Sequence, residues 1–251
     1  MTTVLTDRDV FVAAARRRGF RRVVRSVTEG GVIVGAGFWA VFTLVAVVVP
    51  LIVDAAGNEM GNGVLVGAEY SARWFAFTLG IILVSTIMTN HVAAGGTRRS
   101  LFTGSVVAAL LTGAVYGVLN VVAFLVERAV FTGLGWTWTA PVDVVPGDLL
   151  WWTGVALSEL LVVSVYVMVG VAVAVGYQNH GAWTGTLLLL PGLVLLAAVE
   201  LAAGTGSADD LLSPLRVGPG VLWAGVGVAV LAVAAGWMHL HLSRLRLRPT
   251  R

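Results

Sequence analysis

Residues 91–100 read HVAAGGTRRS and form a short polar loop between two long apolar runs. The runs, residues 71–92 and 101–126, are each long enough to cross a bilayer, which takes about 20 apolar residues in a helix. The loop is too short to fold on its own, yet it carries two adjacent glycines, a threonine and two adjacent arginines. A connector that only turned the chain around would not need this combination. We therefore interpret the loop as a contact surface for a cytoplasmic partner.

The composition of the whole chain indicates that its solvent is lipid. Of the 251 residues, 58% are hydrophobic and 12% are charged, and the mean hydropathy is +0.91. Soluble domains carry about 25% charged residues. A chain this apolar cannot bury its side chains in one water-soluble core.

Several classes of functional site are excluded or disfavoured by residue types that the chain lacks. It has no cysteine, which excludes disulfides, thiolate metal sites and thiol catalysis. All 16 basic residues are arginine, which excludes a P-loop lysine and a Schiff-base lysine. The chain has no G-x-S-x-G or H-E-x-x-H pattern and, by our interpretation, no paired carboxylates inside an apolar run. We expect no enzymatic activity and no metal site in this chain.

Six apolar runs reach the length of a membrane span. Within lipid a helix satisfies every backbone polar group, so helix is the expected state of each run. We therefore predict an all-α integral membrane protein with six transmembrane helices. The runs are residues 31–53, 71–92, 101–126, 149–176, 181–203 and 220–242.

The arginines lie mainly on one side of this six-helix arrangement. Cytoplasmic loops carry an excess of arginine, which predicts a multi-pass protein of the cell membrane with both termini cytoplasmic. The same placement argues against a nucleic-acid partner despite a pI near 9.9. The opposite face carries fewer arginines, including Arg73, and most of the acids, including Glu69. The arginines assigned to the cytoplasmic side are Arg8, Arg16, Arg17, Arg18, Arg21, Arg22, Arg25, Arg98, Arg99, Arg244, Arg246, Arg248 and Arg251.

The chain divides into a cytoplasmic arm (1–30), a transmembrane domain (31–242) and a basic tail (243–251). Within the arm, we predict an interfacial elbow helix at residues 7–25 that lies on anionic lipid, which attracts each arginine by about 1 kcal/mol. The alternative is a basic leader that only sets the topology; the apolar run that follows is too long for a signal peptide. The arginines of the elbow helix are Arg16, Arg17, Arg18, Arg21, Arg22 and Arg25.

A basic surface helix, six spans and a Gly-Gly-Thr-Arg-Arg loop after the second span together resemble the membrane subunit of bacterial ABC-2 type transporters. The matching residues are Gly95, Gly96, Thr97, Arg98 and Arg99. The resemblance implies that the loop holds a short coupling helix, which docks on a separate subunit that binds ATP and Mg. This chain itself would hold no cofactor. A working unit with two ATP-binding subunits would have two nucleotide sites. Those two sites imply a membrane core of two permease copies, or of this chain and a related subunit.

The residue types in the loop suit a docking role. Gly95 and Gly96 permit a sharp exit from the second span, including positive φ. Thr97 can cap the helix that follows. Arg98 and Arg99 offer bidentate donors to carboxylates on a partner. The alternative is that both arginines only keep the loop on the cytoplasmic side.

Three polar residues inside the apolar runs are candidates for a transport pathway or a subunit interface. Glu159 lies in the middle of the fourth run, where a charge is costly and usually faces protein or water. Its alternative is a protonated glutamate bonded to a neighbouring helix. Asn120 can bond across helices, and Glu200 lies near the outer end of the fifth run. Glycines in the first and sixth runs are expected to allow close packing, namely Gly31, Gly35, Gly37, Gly225, Gly227 and Gly236.

Two functions follow from these patterns. The first is the permease subunit of an ATP-driven exporter, whose apolar pathway favours an amphipathic drug, lipid or peptide over a small polar solute. The second is a stand-alone membrane protein, a small binding or immunity protein without an ATPase partner.

Overall fold

The computed structural model describes residues 7–60, 63–139, 149–215 and 220–245. Within these ranges all regular secondary structure is helical. Of the arginines predicted to be cytoplasmic, those of the tail from Arg246 onward lie outside these ranges, and the side chains of Arg8 and Arg16 are also not described. The helices are α1 (Asp7–Ala55), α2 (Leu65–Ala93), α3 (Arg98–Gly133), α4 (Leu149–His180), α5 (Ala182–Leu187), α6 (Leu189–Ala203), α7 (Gly206–Leu212), a 3-10 turn (Ser213–Leu215) and α8 (Gly220–Ser243).

Six stretches of these helices are long enough and apolar enough to cross a membrane: parts of α1 and α2, all of α3 and α4, the α5–α6 pair, and α8. The all-α prediction is confirmed at this level. The fifth stretch is not one helix, because α5 and α6 meet at Leu188. Pro191 accounts for the interruption, since a proline ring clashes with the carbonyl four residues earlier and donates no hydrogen bond.

The predicted arm and the predicted first span form one helix. α1 runs without a break for 49 residues and passes through Gly19. At 1.5 Å per residue it is about 74 Å long, roughly two and a half times the thickness of a hydrocarbon core. The arm packs against α3, where Val23 contacts Gly104. No joint therefore separates residues 7–25 from the apolar part of α1.

Helix α4 is the centre of the bundle. Residues 162–176 are all buried, and α4 packs against α2, α3, α6 and α8. A helix that is apolar on every face is stable only when protein or lipid surrounds it. Here the surroundings are the other helices, and the exposed large apolar side chains of the described residues are most numerous on α1 and α8.

Glycines bring the backbones of α2 and α3 against α4. A Cβ atom at Gly80 would overlap the Val167 carbonyl, and one at Gly117 would overlap the Ala156 carbonyl. The expectation for the first and sixth runs is therefore only partly right. Gly31, Gly35 and Gly227 face neighbouring side chains, whereas Gly37, Gly225 and Gly236 face open space, because α1 and α8 lie at the periphery.

The tight α3–α4 contact predicts an asymmetric response to alanine. Gly117→Ala should destabilise the fold by about 1–3 kcal/mol, because overpacking forces the helices apart. Gly236→Ala is the matched control and should be neutral or stabilising by up to about 1 kcal/mol, since alanine favours helix over glycine. Thermal unfolding in detergent measures both, and equal melting temperatures for the two variants would refute the contact.

Candidate functional site

The loop at residues 91–100 is a rigid turn between two helices. α2 ends at Ala93, and the amide of Gly96 donates to the His91 carbonyl at 2.8 Å. Gly95 has φ +76°, a conformation that glycine adopts without strain. The predicted sharp exit from the second span is therefore confirmed at Gly95. At Gly96 the requirement is space, because a Cβ atom there would overlap the His91 ring.

Thr97 caps α3, as its residue type predicts. Its side chain accepts from the Ser100 amide at 3.1 Å, and the Ser100 hydroxyl accepts from the Thr97 amide at 3.2 Å. This reciprocal pair is a capping box. The His91 Nε2 atom lies 3.0 Å from the Ser100 Oγ atom, which ties the end of α2 to the cap.

The loop has no separate coupling helix of the kind that the resemblance implies. Only residues 94–97 lie between α2 and α3, and they form the turn and the cap. Because the capping box at Thr97 starts α3 directly, the residues that would build a coupling helix are the first turn of α3 itself.

The two neighbouring arginines of the loop have different surroundings. Arg98 donates to the carbonyl oxygens of Ser243 at 2.9 Å and Leu245 at 2.8 Å, at the C-terminal end of α8. Carbonyls at a helix C-terminus lack partners within the helix, so a cation there satisfies them. Arg99 is exposed and lines an open cleft with Arg17. Arg98 therefore joins α3 to α8, and Arg99 faces outward.

The arm packs directly onto the loop. Gly19 lies against Ser100 and His91, and the Phe20 carbonyl lies near Gly104. Two clefts of about 310 and 380 Å³ open between the arm and the loop. Their exposed arginines and adjoining loop glycines form one surface, which we call the basic face. Its residues are Arg17, Arg18, Arg22, Gly95, Gly96 and Arg99.

The remaining arm arginines lie off the basic face. Arg21 is exposed and lines neither cleft. Arg25 forms an exposed ion pair with Glu29 at 2.8 Å. The sequence predicted one interfacial helix that carries all of these arginines. The packing of the arm against α3 separates the arginines that line the clefts from Arg21 and Arg25, which do not.

A second polar group lies inside the bundle. Arg73 donates to one carboxylate oxygen of Glu159 through Nη2 at 2.8 Å and Nε at 3.2 Å. A second oxygen acceptor, Glu69 Oε2, lies 3.5 Å from Arg73. Asn120 donates to the other Glu69 oxygen at 2.7 Å. All four side chains are buried, and we call them the buried ionic cluster.

The buried ionic cluster corrects two sequence interpretations. The sequence pattern predicts Glu69 and Arg73 on the outer face, but both are buried inside the bundle. It also predicts no paired carboxylates in the apolar runs, but Glu69 and Glu159 both lie beside Arg73. The physical reason is that a mid-span carboxylate needs a cation, and Arg73 supplies it from α2. The i,i+4 spacing of Glu69 and Arg73 was the available signal, because it places both side chains on one helix face.

Two other buried acidic residues, Glu127 and Glu200, join helix ends. Glu200 accepts from the Tyr166 hydroxyl at 2.6 Å and from the Ala208 amide at 3.1 Å, which links α6 to α4 and α7. Glu127 accepts from the Leu65 amide at 3.0 Å, at the start of α2. Within the described residues, no three His, Cys, Asp or Glu side chains form a group suited to a metal ion.

Comparison of the chain with protein-family models, curated proteins and solved structures finds no match.

Breaking the ion pair should strongly destabilise the bundle. Arg73→Met is expected to cost about 3–5 kcal/mol, because it leaves Glu159 buried without its cation. Adding Glu159→Met should restore much of the loss, since replacing both charges removes the desolvation penalty. SDS-induced unfolding followed by circular dichroism measures this. Arg25→Met, in the exposed pair, is the control and should change stability by less than about 1 kcal/mol.

The contact between Arg98 and α8 predicts local fraying. Arg98→Ala should weaken the C-terminal turn of α8 by about 1 kcal/mol, because the guanidinium is partly solvated. Hydrogen–deuterium exchange of residues 240–245 should then accelerate several-fold. Arg99→Ala removes the same charge from the neighbouring position and should leave that exchange unchanged; equal acceleration in both variants would contradict the contact.

Proposed function

We propose that the protein is the membrane-spanning permease subunit of an ATP-driven ABC-2 type transporter. The observation that carries the proposal is the basic face, where the arm and the Gly-Gly-Thr-Arg-Arg loop lie against each other. The ABC-2 resemblance implies that the loop meets the ATP-binding subunit, and we propose that the arm beside it contacts the same subunit. Their direct contact here makes one docking surface from residues that are about 80 positions apart in the chain.

The proposed orientation places both termini in the cytoplasm of a multi-pass cell-membrane protein. It is supported by contacts that gather the predicted cytoplasmic segments at one end. Arg98 reaches the end of α8, and Asn179 at the end of α4 donates to the His241 carbonyl at 3.0 Å. Residues 7–25 would then extend α1 into the lipid headgroup region, with the arginines off the basic face, Arg21 and Arg25, on anionic lipid.

The proposed partner is a separate subunit that binds ATP and Mg, and this chain supplies neither a nucleotide site nor a cofactor. Carboxylates on that subunit would pair with Arg17 and Arg99, the two exposed arginines of one cleft. The capping box at Thr97 makes the loop continuous with α3, and Arg98 joins α3 to α8. A force on the basic face would therefore move α3 and α8 together. A second permease copy or a related subunit would complete the membrane core.

We propose export of an amphipathic drug, lipid or peptide. The support is that most of the buried side chains in the described bundle are apolar. The charges of the buried ionic cluster and Glu200 are engaged in contacts within the chain. An apolar interior favours substrates with a large apolar part over small polar solutes.

One observation favours the second function, a stand-alone membrane binding or immunity protein. Arg98 is bonded to the end of α8, so of the two exposed loop arginines only Arg99 has no side-chain hydrogen bond to the described part of the chain. In that protein the arm and loop arginines would hold the topology and the bundle together without a docking subunit.

Co-purification distinguishes the two functions. The chain is extracted gently from its native membrane, and a stoichiometric soluble protein with a P-loop lysine is expected to accompany it. Arg17→Ala with Arg99→Ala should weaken that complex about tenfold or more, because a docked arginine at an interface centre contributes about 1 kcal/mol or more. Arg21→Ala with Arg25→Ala removes equal charge away from the clefts and should retain the partner.

The opposite result would support the stand-alone protein. If mild extraction repeatedly yields the chain without any ATP-binding protein, the permease proposal fails. If both double variants lose the partner equally, the arm acts through its overall charge and the basic face is not the docking surface.

A further inference from the structure

The charges of the buried ionic cluster do not balance. With both carboxylates ionised, Glu69 and Glu159 carry two negative charges and Arg73 carries one positive charge. The described groups that act electrostatically on Glu69 are Arg73, Glu159 and Asn120, and only Arg73 is a cation. An uncompensated charge in an apolar interior is strongly disfavoured, so such a group binds a counter-charge or becomes neutral.

The neighbouring helices supply no second cation to this site in the described residues. α3 presents Tyr116 and Asn120, and α4 presents Tyr166 beside Glu159. α6 presents Glu200, which adds negative charge near Arg73 and is bonded to the Tyr166 hydroxyl. α1 presents Trp39, whose ring lies 6.2 Å from that of Tyr116.

We propose that the buried ionic cluster is a proton-binding site in which Glu69 carries the proton. Arg73 directs two N–H groups at Glu159, at 2.8 and 3.2 Å, and lies 3.5 Å from Glu69. The guanidinium therefore stabilises an ionised Glu159 more than an ionised Glu69. Protonation of Glu69 leaves one carboxylate and one guanidinium, a neutral pair.

Asn120 can serve both states of Glu69. Its Nδ2 atom donates to Glu69 Oε1 at 2.7 Å, and its Oδ1 atom is buried without a partner among the described residues. An amide carries a donor and an acceptor at its two ends. After rotation about its terminal bond, the same side chain accepts the O–H of a protonated Glu69.

The site has further buried polar atoms with no protein partner in the described parts of the chain. They belong to side chains that are at most 2% exposed. Such atoms are normally satisfied by internal water, which also relays protons. The guanidinium among them disfavours a metal cation such as Na⁺, which requires a shell of oxygen ligands. The atoms are Arg73 Nη1, Glu159 Oε1, Tyr116 OH and Trp39 Nε1.

Infrared difference spectroscopy tests the proposal on the full chain in lipid nanodiscs, without a partner or ATP. The proposal is therefore independent of the transporter proposal. The difference spectrum between neutral and alkaline pH should contain a band from the C=O stretch of one buried carboxylic acid. The frequency of this band should shift in D₂O. Glu69→Gln should abolish this band, whereas Glu127→Gln and Glu200→Gln should retain it.

A second variant covers a failure of Glu69→Gln to fold. With isotope-labelled aspartate, Glu69→Asp should move the band to the labelled residue. The proposal is overturned if the wild-type protein has no carboxylic acid band, or if the band survives unchanged in both Glu69 variants. It is also overturned if the band is absent and NaCl, but not choline chloride, raises the melting temperature, which would indicate a cation site.

Discussion

The Arg73–Glu159 ion pair is the interaction on which the bundle depends. A guanidinium that is 1% exposed inside an apolar core must be neutralised, and its pairing with Glu159 brings α2 to α4 at one register. The glycine contacts between these helices, at Gly80 and Gly170, require the same register because each glycine faces a backbone carbonyl. Charge and packing therefore specify one arrangement of α2 on α4.

The opposite end of the bundle is joined by polar contacts at helix ends. The capping box at Thr97 makes the loop continuous with α3, and Arg98 joins the start of α3 to the end of α8. The ring of Phe102 packs against that of His239 at 4.7 Å, which adds an apolar contact to the same junction. A force applied to the basic face would therefore be distributed over several helices and not absorbed by a flexible loop.

Identical residue types in this chain have different roles because their neighbours differ. Arg98 satisfies carbonyls of a helix end, whereas Arg99 beside it faces an open cleft. Glu159 is held by a cation, whereas Glu200 accepts from a tyrosine hydroxyl and a backbone amide. In each case the surrounding helices decide which groups the charged side chain contacts.

The sequence by itself determined the helical class and the number of long apolar stretches, because lipid leaves a backbone little alternative to helix. It also determined the turn at Gly95 and the cap at Thr97, since these depend on residues within one helical turn. Only the tertiary structure decided that Arg73 lies inside the bundle and that Arg98 belongs to α8. Their partners are 86 and 145 positions away, and no local pattern specifies which helix faces meet.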